Sequence, residues 1–131
     1  MIFVDTGAWA AFFVSQDPSH GVAVRWMQEN VEPLTTTDYV LDELVTLIKA
    51  RYSVAASIEI GERLWAEEFS EVLFLTPADI RQAWLIFRAH RDKGWSFTDC
   101  ASYVVMRRLG ISKAFSLDKH FSQMPGIWRV P

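Results

Sequence analysis

Short apolar runs alternate with longer helical patterns along this chain. The runs Ile2–Val4, 33–37, 72–75 and 115–117 are each bounded by turn or helix-start residues, which predicts four strands, and 128–130 predicts a fifth. The segments between them carry apolar residues at helical spacing. Strands that alternate with helices pair in parallel through crossover connections. The pattern therefore predicts an α/β fold with a four- or five-stranded parallel sheet sandwiched between helices.

Six helices are expected, and several begin at residues typical of helix starts. The stretch Asp17-Pro18-Ser19-His20 precedes the second helix, and Thr76 precedes a proline at the first helical position of the fifth. Gly110 is expected to end the last helix. The predicted helices cover about residues 6–14, 20–30, 39–51, 54–68, 77–91 and 97–110.

Composition narrows the class of protein. The chain has 131 residues, enough for one domain over 1–131, and half of them are hydrophobic. Its longest apolar run, Ala8–Val14, is far shorter than the roughly 20 residues of a membrane span, and the N-terminus lacks signal-peptide features. The single cysteine, Cys100, excludes an internal disulfide. We therefore expect a cytoplasmic protein without a membrane segment.

The overall charge does not indicate a nucleic-acid partner. The net charge is −3, from 13 basic and 16 acidic residues. Two local basic clusters exist: Arg88, Arg91 and Lys93, then Arg107, Arg108 and Lys113. Most of these side chains are expected to be solvated helix faces, with a few left to contact phosphates beside a metal site.

Four acidic residues occupy positions that a parallel sheet brings together. Asp5 directly follows the first strand and Asp118 follows the fourth, while Glu43 and Asp99 are placed at helix starts. In an open α/β sheet, ligands bind at the carboxyl edge of the strands. A ring of carboxylates is costly through like-charge repulsion unless a cation neutralises it. The pattern thus indicates a cation site at this edge.

Each acid taken alone also has an ordinary explanation. Asp5 and Asp118 could cap the helix or turn that follows, and Asp99 lies three residues after Ser96, as in a capping box. Helix starts share an edge with strand ends, so capping alone predicts some clustering. Helix capping alone does not require four acidic residues to converge at one edge of the sheet.

Glu43 is a better site candidate than its neighbour Asp42. On a helix, the apolar residues around Leu41, Leu44 and Leu47 form one arc. Glu43 flanks the edge of that arc and can reach a cleft, whereas Asp42 lies nearly opposite its centre. We expect Asp42 to face solvent.

Other reactive side chains are weaker candidates. Cys100 lies on an apolar helix and is expected to be a buried structural thiol. The three histidines lack zinc-ligand spacing, although His120, two residues after Asp118, could touch substrate. The six tryptophans are expected in the core or at interfaces. Trp9 and Trp95 lie close in sequence to site candidates, but base stacking is not favoured for them.

Four segments, in order along nearly the whole chain, resemble those of PIN-domain nucleases, specifically the small VapC-like ribonuclease toxins of type II toxin–antitoxin systems. The matching segments are Val4-Asp5-Thr6-Gly7-Ala8-Trp9, Tyr39-Val40-Leu41-Asp42-Glu43-Leu44, Ser96-Phe97-Thr98-Asp99-Cys100-Ala101 and Phe115-Ser116-Leu117-Asp118-Lys119-His120-Phe121. Each is weak alone, and the ordered set is fairly specific.

The resemblance implies roles for particular residues. Carried over by position, the acidic catalytic site consists of Asp5, Glu43, Asp99 and Asp118, with Asp5, Asp99 and Asp118 as metal ligands and Thr6 and Thr98 as supporting residues. Gly7 stands where the family usually has Ser or Asn, so a side-chain contact is absent there.

The same resemblance implies a function: a metal-dependent endoribonuclease that cleaves RNA phosphodiester bonds as the toxin of a toxin–antitoxin pair. It also implies a homodimer and a cognate antitoxin protein. Carboxylate oxygens suit Mg²⁺ or Mn²⁺, which agrees with this chemistry, and a metal-activated water makes a side-chain nucleophile unnecessary.

Two alternatives remain open. A non-catalytic PIN-like module would keep the fold and bind RNA or a protein while its acids merely cap helices. A phosphohydrolase working through an aspartyl-phosphate would favour an Asp-x-Asp start, whereas here Thr6 and Gly7 follow Asp5.

Overall fold

Five parallel strands form a single sheet in the computed structural model, which describes all 131 residues. The strands are β1 (Ile2–Val4), β2 (Leu34–Thr37), β3 (Glu71–Leu73), β4 (Lys113–Phe115) and β5 (Trp128–Val130). Their spatial order is β3-β2-β1-β4-β5, and every neighbouring pair is parallel. The predicted α/β fold with a four- or five-stranded parallel sheet is confirmed, and the sheet has five strands.

Six α-helices connect the strands, as the periodicity predicts. They are α1 (Thr6–Phe13), α2 (His20–Glu29), α3 (Asp38–Arg51), α4 (Val54–Trp65), α5 (Pro77–Ala89) and α6 (Phe97–Leu109). Hydroxyl or carboxylate side chains cap the starts of five of them, and complete capping boxes begin α5 and α6. None of the helices combines the length and apolar character that crossing a membrane requires.

Four predicted boundaries differ in the structure, two of them for a visible reason. Helix α4 ends three residues early because Glu67 adopts a left-handed conformation with φ of 57°. Strand β3 ends at Leu73, since the Leu75 N–H donates to the Asp38 carboxylate. Strand β4 is shifted toward the N-terminus, to Lys113–Phe115. Helix α3 already begins at Asp38, which places Glu43 in its second turn rather than at its start.

The strand order creates a crevice at the carboxyl edge of β1. Successive strands first extend the sheet from β1 through β2 to β3, and the chain then returns to place β4 on the other side of β1. Loops leave β1 and β4 next to each other, which is where open α/β sheets bind ligands. Fully buried apolar side chains, including Phe3, Trp9 and Phe115, fix these strands within the core. The crevice is therefore held by a rigid frame.

Candidate active site

All four acids selected from the sequence line one cleft at this edge of the sheet. The cleft has a volume of about 280 Å³, and its walls are Asp5, Thr6, Gly7, Glu43, Leu47, Gly94, Ser96, Asp99, Asp118 and His120. Asp5 is the N-cap of α1, Glu43 projects from α3, Asp99 lies in the first turn of α6, and Asp118 caps the short 3₁₀ helix Lys119–Gln123.

Asp5 is the most buried of the four acids, with 5% of its surface exposed. Its Oδ1 accepts a hydrogen bond from the Ala8 N–H at 2.7 Å, and its Oδ2 accepts one from the Ser116 hydroxyl at 2.5 Å. Burial raises the pKa of Asp5 to about 7 against these hydrogen bonds, and the charges of Asp99 and Asp118 raise it further. In the absence of a cation, this carboxylate is electrostatically destabilised.

Asp99 is held by the capping box that begins α6. Its Oδ2 accepts the Ser96 N–H at 3.0 Å, while its own N–H donates to the Ser96 hydroxyl at 3.0 Å. Burial raises the pKa of Asp99 despite the hydrogen bond from the Ser96 backbone, and the charges of Glu43 and Asp118 act in the same direction. Capping and site membership are therefore compatible: one carboxylate does both.

Asp118 and His120 approach each other across one turn of the 3₁₀ helix. Asp118 Oδ1 accepts the His120 backbone N–H at 2.9 Å, and the His120 Nδ1 lies 3.1 Å from Asp118 Oδ2. One ligand atom from each of Asp99, Asp118 and His120 lies within 4.8 Å of the other two. Of the predicted metal set, Asp99 and Asp118 belong to this closest group, whereas Asp5 lines the same cleft outside it.

The environment of the remaining candidates differs from one to the next. Glu43 is partly buried in the cleft and Asp42 is exposed, as the helical arc predicts. Thr6 lines the cleft. Thr98 lines an adjacent cavity together with Glu43 and Asp42, and its carbonyl accepts the Ser102 hydroxyl.

Cys100 is fully buried, and burial, reinforced by the Asp99 charge, raises the pKa of its thiol to about 11. The thiol therefore stays protonated at neutral pH. A nucleophilic role is thereby disfavoured, and the structural role expected from the sequence agrees with this environment.

Ser116 is a site residue that sequence reasoning missed. Its hydroxyl donates to Asp5 and also accepts the Asp118 N–H at 3.0 Å, so it links the loops after β1 and β4. A buried serine inside an otherwise apolar strand run is the signal that could have identified it, because buried hydroxyl groups need partners.

The donor set fits a divalent cation. Four carboxylates and one imidazole converge from separate elements, and burial, reinforced by neighbouring acids, raises the pKa values of Asp5 and Asp99. Oxygen donors suit Mg²⁺, which retains several waters and takes only one or two carboxylates, and a nitrogen donor suits Mn²⁺ better. Asp99 and Asp118, with His120 beside them, are the residues best placed to hold such an ion.

Comparison with known proteins gives the family. The PIN domain matches residues 2–127. The chain is 35% identical over 125 residues to the 23S rRNA-specific endonuclease VapC20 of Mycobacterium tuberculosis, covering 93% of this chain and 92% of that one. It is also 30% identical over 131 residues to the VapC ribonuclease of Archaeoglobus fulgidus, covering 96% of this chain and 81% of the relative.

Comparison with solved structures supports the same family. The crystal structure of M. tuberculosis VapC20, described as a Sarcin-Ricin loop cleaving toxin, superposes with a TM-score of 0.90 at 31% identity over 95% of both chains. FitAcB from Neisseria gonorrhoeae, at 15% identity, shares the fold with a TM-score of 0.67 over 100% of this chain and 97% of that one. The chain therefore belongs to the PIN domain family, among its VapC-like members.

Proposed function

We propose that this protein is a metal-dependent endoribonuclease and the toxin of a toxin–antitoxin pair. The single observation that carries the proposal is the convergence of Asp5, Glu43, Asp99 and Asp118 in one cleft of a PIN-domain chain. Relatives that cover more than nine-tenths of this chain are named as VapC ribonucleases or rRNA-specific endonucleases. A non-catalytic module does not require four acids in one cleft, and the residues that follow Asp5, Thr6 and Gly7, do not favour the aspartyl-phosphate alternative.

Residues of the cleft would hold the metal ion and fix the orientation of its ligands. Asp99 and Asp118, aided by Asp5, would hold Mg²⁺ or Mn²⁺, and Glu43 faces them from α3. Such a cation would neutralise charge on the phosphodiester and lower the pKa of an attacking water. Ser116 keeps the Asp5 carboxylate in one orientation through its hydroxyl hydrogen bond. Thr6 would support the site from within the cleft, and Thr98 from the adjacent cavity that it shares with Glu43.

We infer the substrate and the partners from the proteins that this chain resembles. One relative is named as specific for 23S rRNA, so structured RNA is the substrate we infer, and DNA is expected to be a poor one. A cognate antitoxin would cover the active protein in the cell, and the toxin itself would be a homodimer. A lone buried Cys100 and an RNA substrate both suit the cytoplasm.

Replacing single acids tests the proposed function. Asp5→Asn and Asp99→Asn remove a negative charge at nearly constant volume. Each is expected to lower Mg²⁺- or Mn²⁺-dependent RNA cleavage by at least about 100-fold while the fold is kept. Cleavage of ribosomal RNA and of generic RNA, followed on denaturing gels with and without EDTA, gives the measurement.

Asp42→Asn is the matched control, because Asp42 is exposed and neighbours Glu43 in sequence. It should cleave like the wild type. The proposed site is wrong if both cleft variants retain full activity, or if the control alone is inactive. Activity of the wild type that persists in EDTA would contradict the metal requirement.

A further inference from the structure

A second depression, here called the aromatic–basic groove, adjoins the acidic cleft. It has a volume of about 590 Å³ and is formed by the end of α5 and the segment that leads into α6. Its name comes from six aromatic or basic residues that line it: Trp84, Phe87, Arg88, Arg91, Lys93 and Trp95. Gly94 lines both the groove and the acidic cleft, so the two depressions lie next to each other.

The cations of the groove are free to bind an external anion. Arg88 and Arg91 form no ion pair, and Lys93 only approaches the carboxylate of its sequence neighbour at 3.9 Å. Two cations of the other basic cluster, Arg108 and Lys113, are instead paired with acids within the fold. A local positive charge therefore lies beside the acidic cleft of a chain whose net charge is −3.

Trp95 lacks a hydrogen-bond partner. It is only 8% exposed, and its Nε1–H finds no acceptor within the fold. Buried donors without partners are rare because the missing hydrogen bond is costly. An indole N–H can only donate, and the Nε1 atom has almost no surface accessible from the groove, so Trp95 forms a buried wall of the groove.

The aromatic side chains of the groove are exposed and held in place. Trp84 is 53% exposed and Phe87 39%, yet both rings pack edge-on against Phe97, at centroid distances of 6.2 and 6.0 Å. Exposed aromatic rings next to cations are how proteins bind single-stranded nucleic acids, by stacking bases and pairing phosphates. Phe97 lies in α6 two residues before Asp99, which ties this platform to the acidic cleft.

We propose that the aromatic–basic groove binds unpaired nucleotides of the RNA substrate next to the bond cut in the acidic cleft. A base stacks on Trp84, and the three cations bind the adjoining phosphates. The proposal rests on the ribonuclease function proposed above. A second copy of the chain is the poorer occupant, because a two-fold interface would bring the same three cations of each copy together.

RNA binding without cleavage tests the groove. A fluorescein-labelled single-stranded RNA of mixed sequence is titrated with the full chain in EDTA, and anisotropy gives the affinity. Trp84→Ala is expected to weaken binding about 5-fold or more, since the variant cannot stack a base at this position. Trp128→Ala is the matched control, because Trp128 is 74% exposed and lies on β5, outside the groove. It should bind like the wild type.

A further variant tests the contribution of the positive charges. Arg88→Gln combined with Arg91→Gln should lower the salt dependence of binding by about 0.7 for each phosphate that the variant no longer neutralises. Arg81→Gln, on the same helix but outside the groove, should leave it unchanged.

The outcomes distinguish this proposal from the proposed function. Groove variants that bind RNA as tightly as the wild type overturn the proposal, as does a wild type with no measurable affinity. It is equally overturned if Trp84→Ala changes the molecular mass or the binding of an antitoxin but not of RNA. If groove variants lose affinity while the wild type cleaves no RNA with metal present, the groove stands and the nuclease function fails.

Discussion

Gly94 matters at the residue scale because the imidazole of His120 occupies the space where its side chain would be. A Cβ at position 94 would lie 2.7 Å from His120 Nε2 and 2.9 Å from Cε1. The end of a histidine ring can swing aside, so we expect Gly94→Ala to displace the ring and to change stability by less than about 1 kcal/mol. Moving the His120 imidazole away from Asp118 should lower metal affinity.

A comparison of metal affinity in the single and double variants tests this prediction. Metal affinity, measured by calorimetric titration with Mn²⁺, should fall to similar levels in Gly94→Ala, in His120→Ala and in the double variant, because all three remove the same imidazole from the cleft. Fully additive reductions would show that Gly94 acts through something other than His120. An unchanged affinity in His120→Ala would remove this histidine from the metal site.

Helices α5 and α6 are joined by an ion pair that the sequence did not reveal. Arg108 on α6 donates to both oxygens of Asp79 on α5, each at 2.9 Å, and the Asp79 side chain is only 3% exposed. Burial favours a raised pKa for Asp79, but hydrogen bonds from Arg108 and Thr76 outweigh it and hold the pKa below its ordinary value. The pair fixes the helix that carries Asp99.

Removing the cation of this pair should destabilise the protein. Arg108→Ala leaves a buried carboxylate without its partner, and we expect the free energy of unfolding in urea to fall by about 2 kcal/mol at neutral pH. Because the folded pKa of Asp79 is lowered, this destabilisation should shrink as the pH falls below about 4 and the group is protonated. Arg81→Ala, which breaks no ion pair, should stay within about 0.5 kcal/mol of the wild type.

The whole metal-free molecule should be less stable at alkaline than at mildly acidic pH because of Asp5. The carboxyl titrates near 3.8 when unfolded, whereas burial raises its pKa to about 7 in the fold. The stability that Asp5 contributes is fully present below the pKa of the unfolded state and is lost as the pH rises through the pKa of the folded state. The shift is worth at most about 4 kcal/mol. We expect the melting temperature in EDTA to fall between about pH 5 and pH 8.

Asp5→Asn gives the comparison for this pH dependence. The amide does not titrate, so the variant should have a flatter profile and melt above the wild type at about pH 8 in EDTA. Adding Mn²⁺ should raise the melting temperature of the wild type and affect the variant less. The same pH-dependent drop in both proteins would show that another group causes it.

Assembly is the second property of the whole molecule. Among the apolar residues of the segment 54–69, Ile60 and Leu64 are buried, but Ile58 stays 59% exposed and Trp65, 48% exposed, stacks on Phe74. We expect light scattering to give a dimer, twice 15.0 kDa, at micromolar concentration. Trp65→Lys should shift the mass toward the monomer, whereas Trp84→Ala should leave it unchanged. A monomeric wild type would contradict the expectation.

The sequence determined the features that depend on short stretches of chain. Alternating periodicity gave the parallel sheet and six helices, because burial of one face repeats along each element. The N-caps Asp5, Thr76 and Ser96 were recognisable for the same reason, since a cap acts on its own helix. The helical arc also separated Glu43 from Asp42. The end of β3 was missed because a distant partner decides it: the Leu75 N–H donates to the Asp38 carboxylate.

Only the tertiary structure decided which separated residues meet. Ser116 donates to Asp5 across 111 positions of sequence, the ring of His120 packs against Gly94, and Arg108 reaches Asp79 on another helix. The groove beside the cleft likewise combines the end of α5 with the loop before α6. Such contacts depend on strand order and helix packing, and no local pattern encodes their geometry. The sequence alone therefore determined the elements and the acidic residues, and the packing of those elements decided their partners.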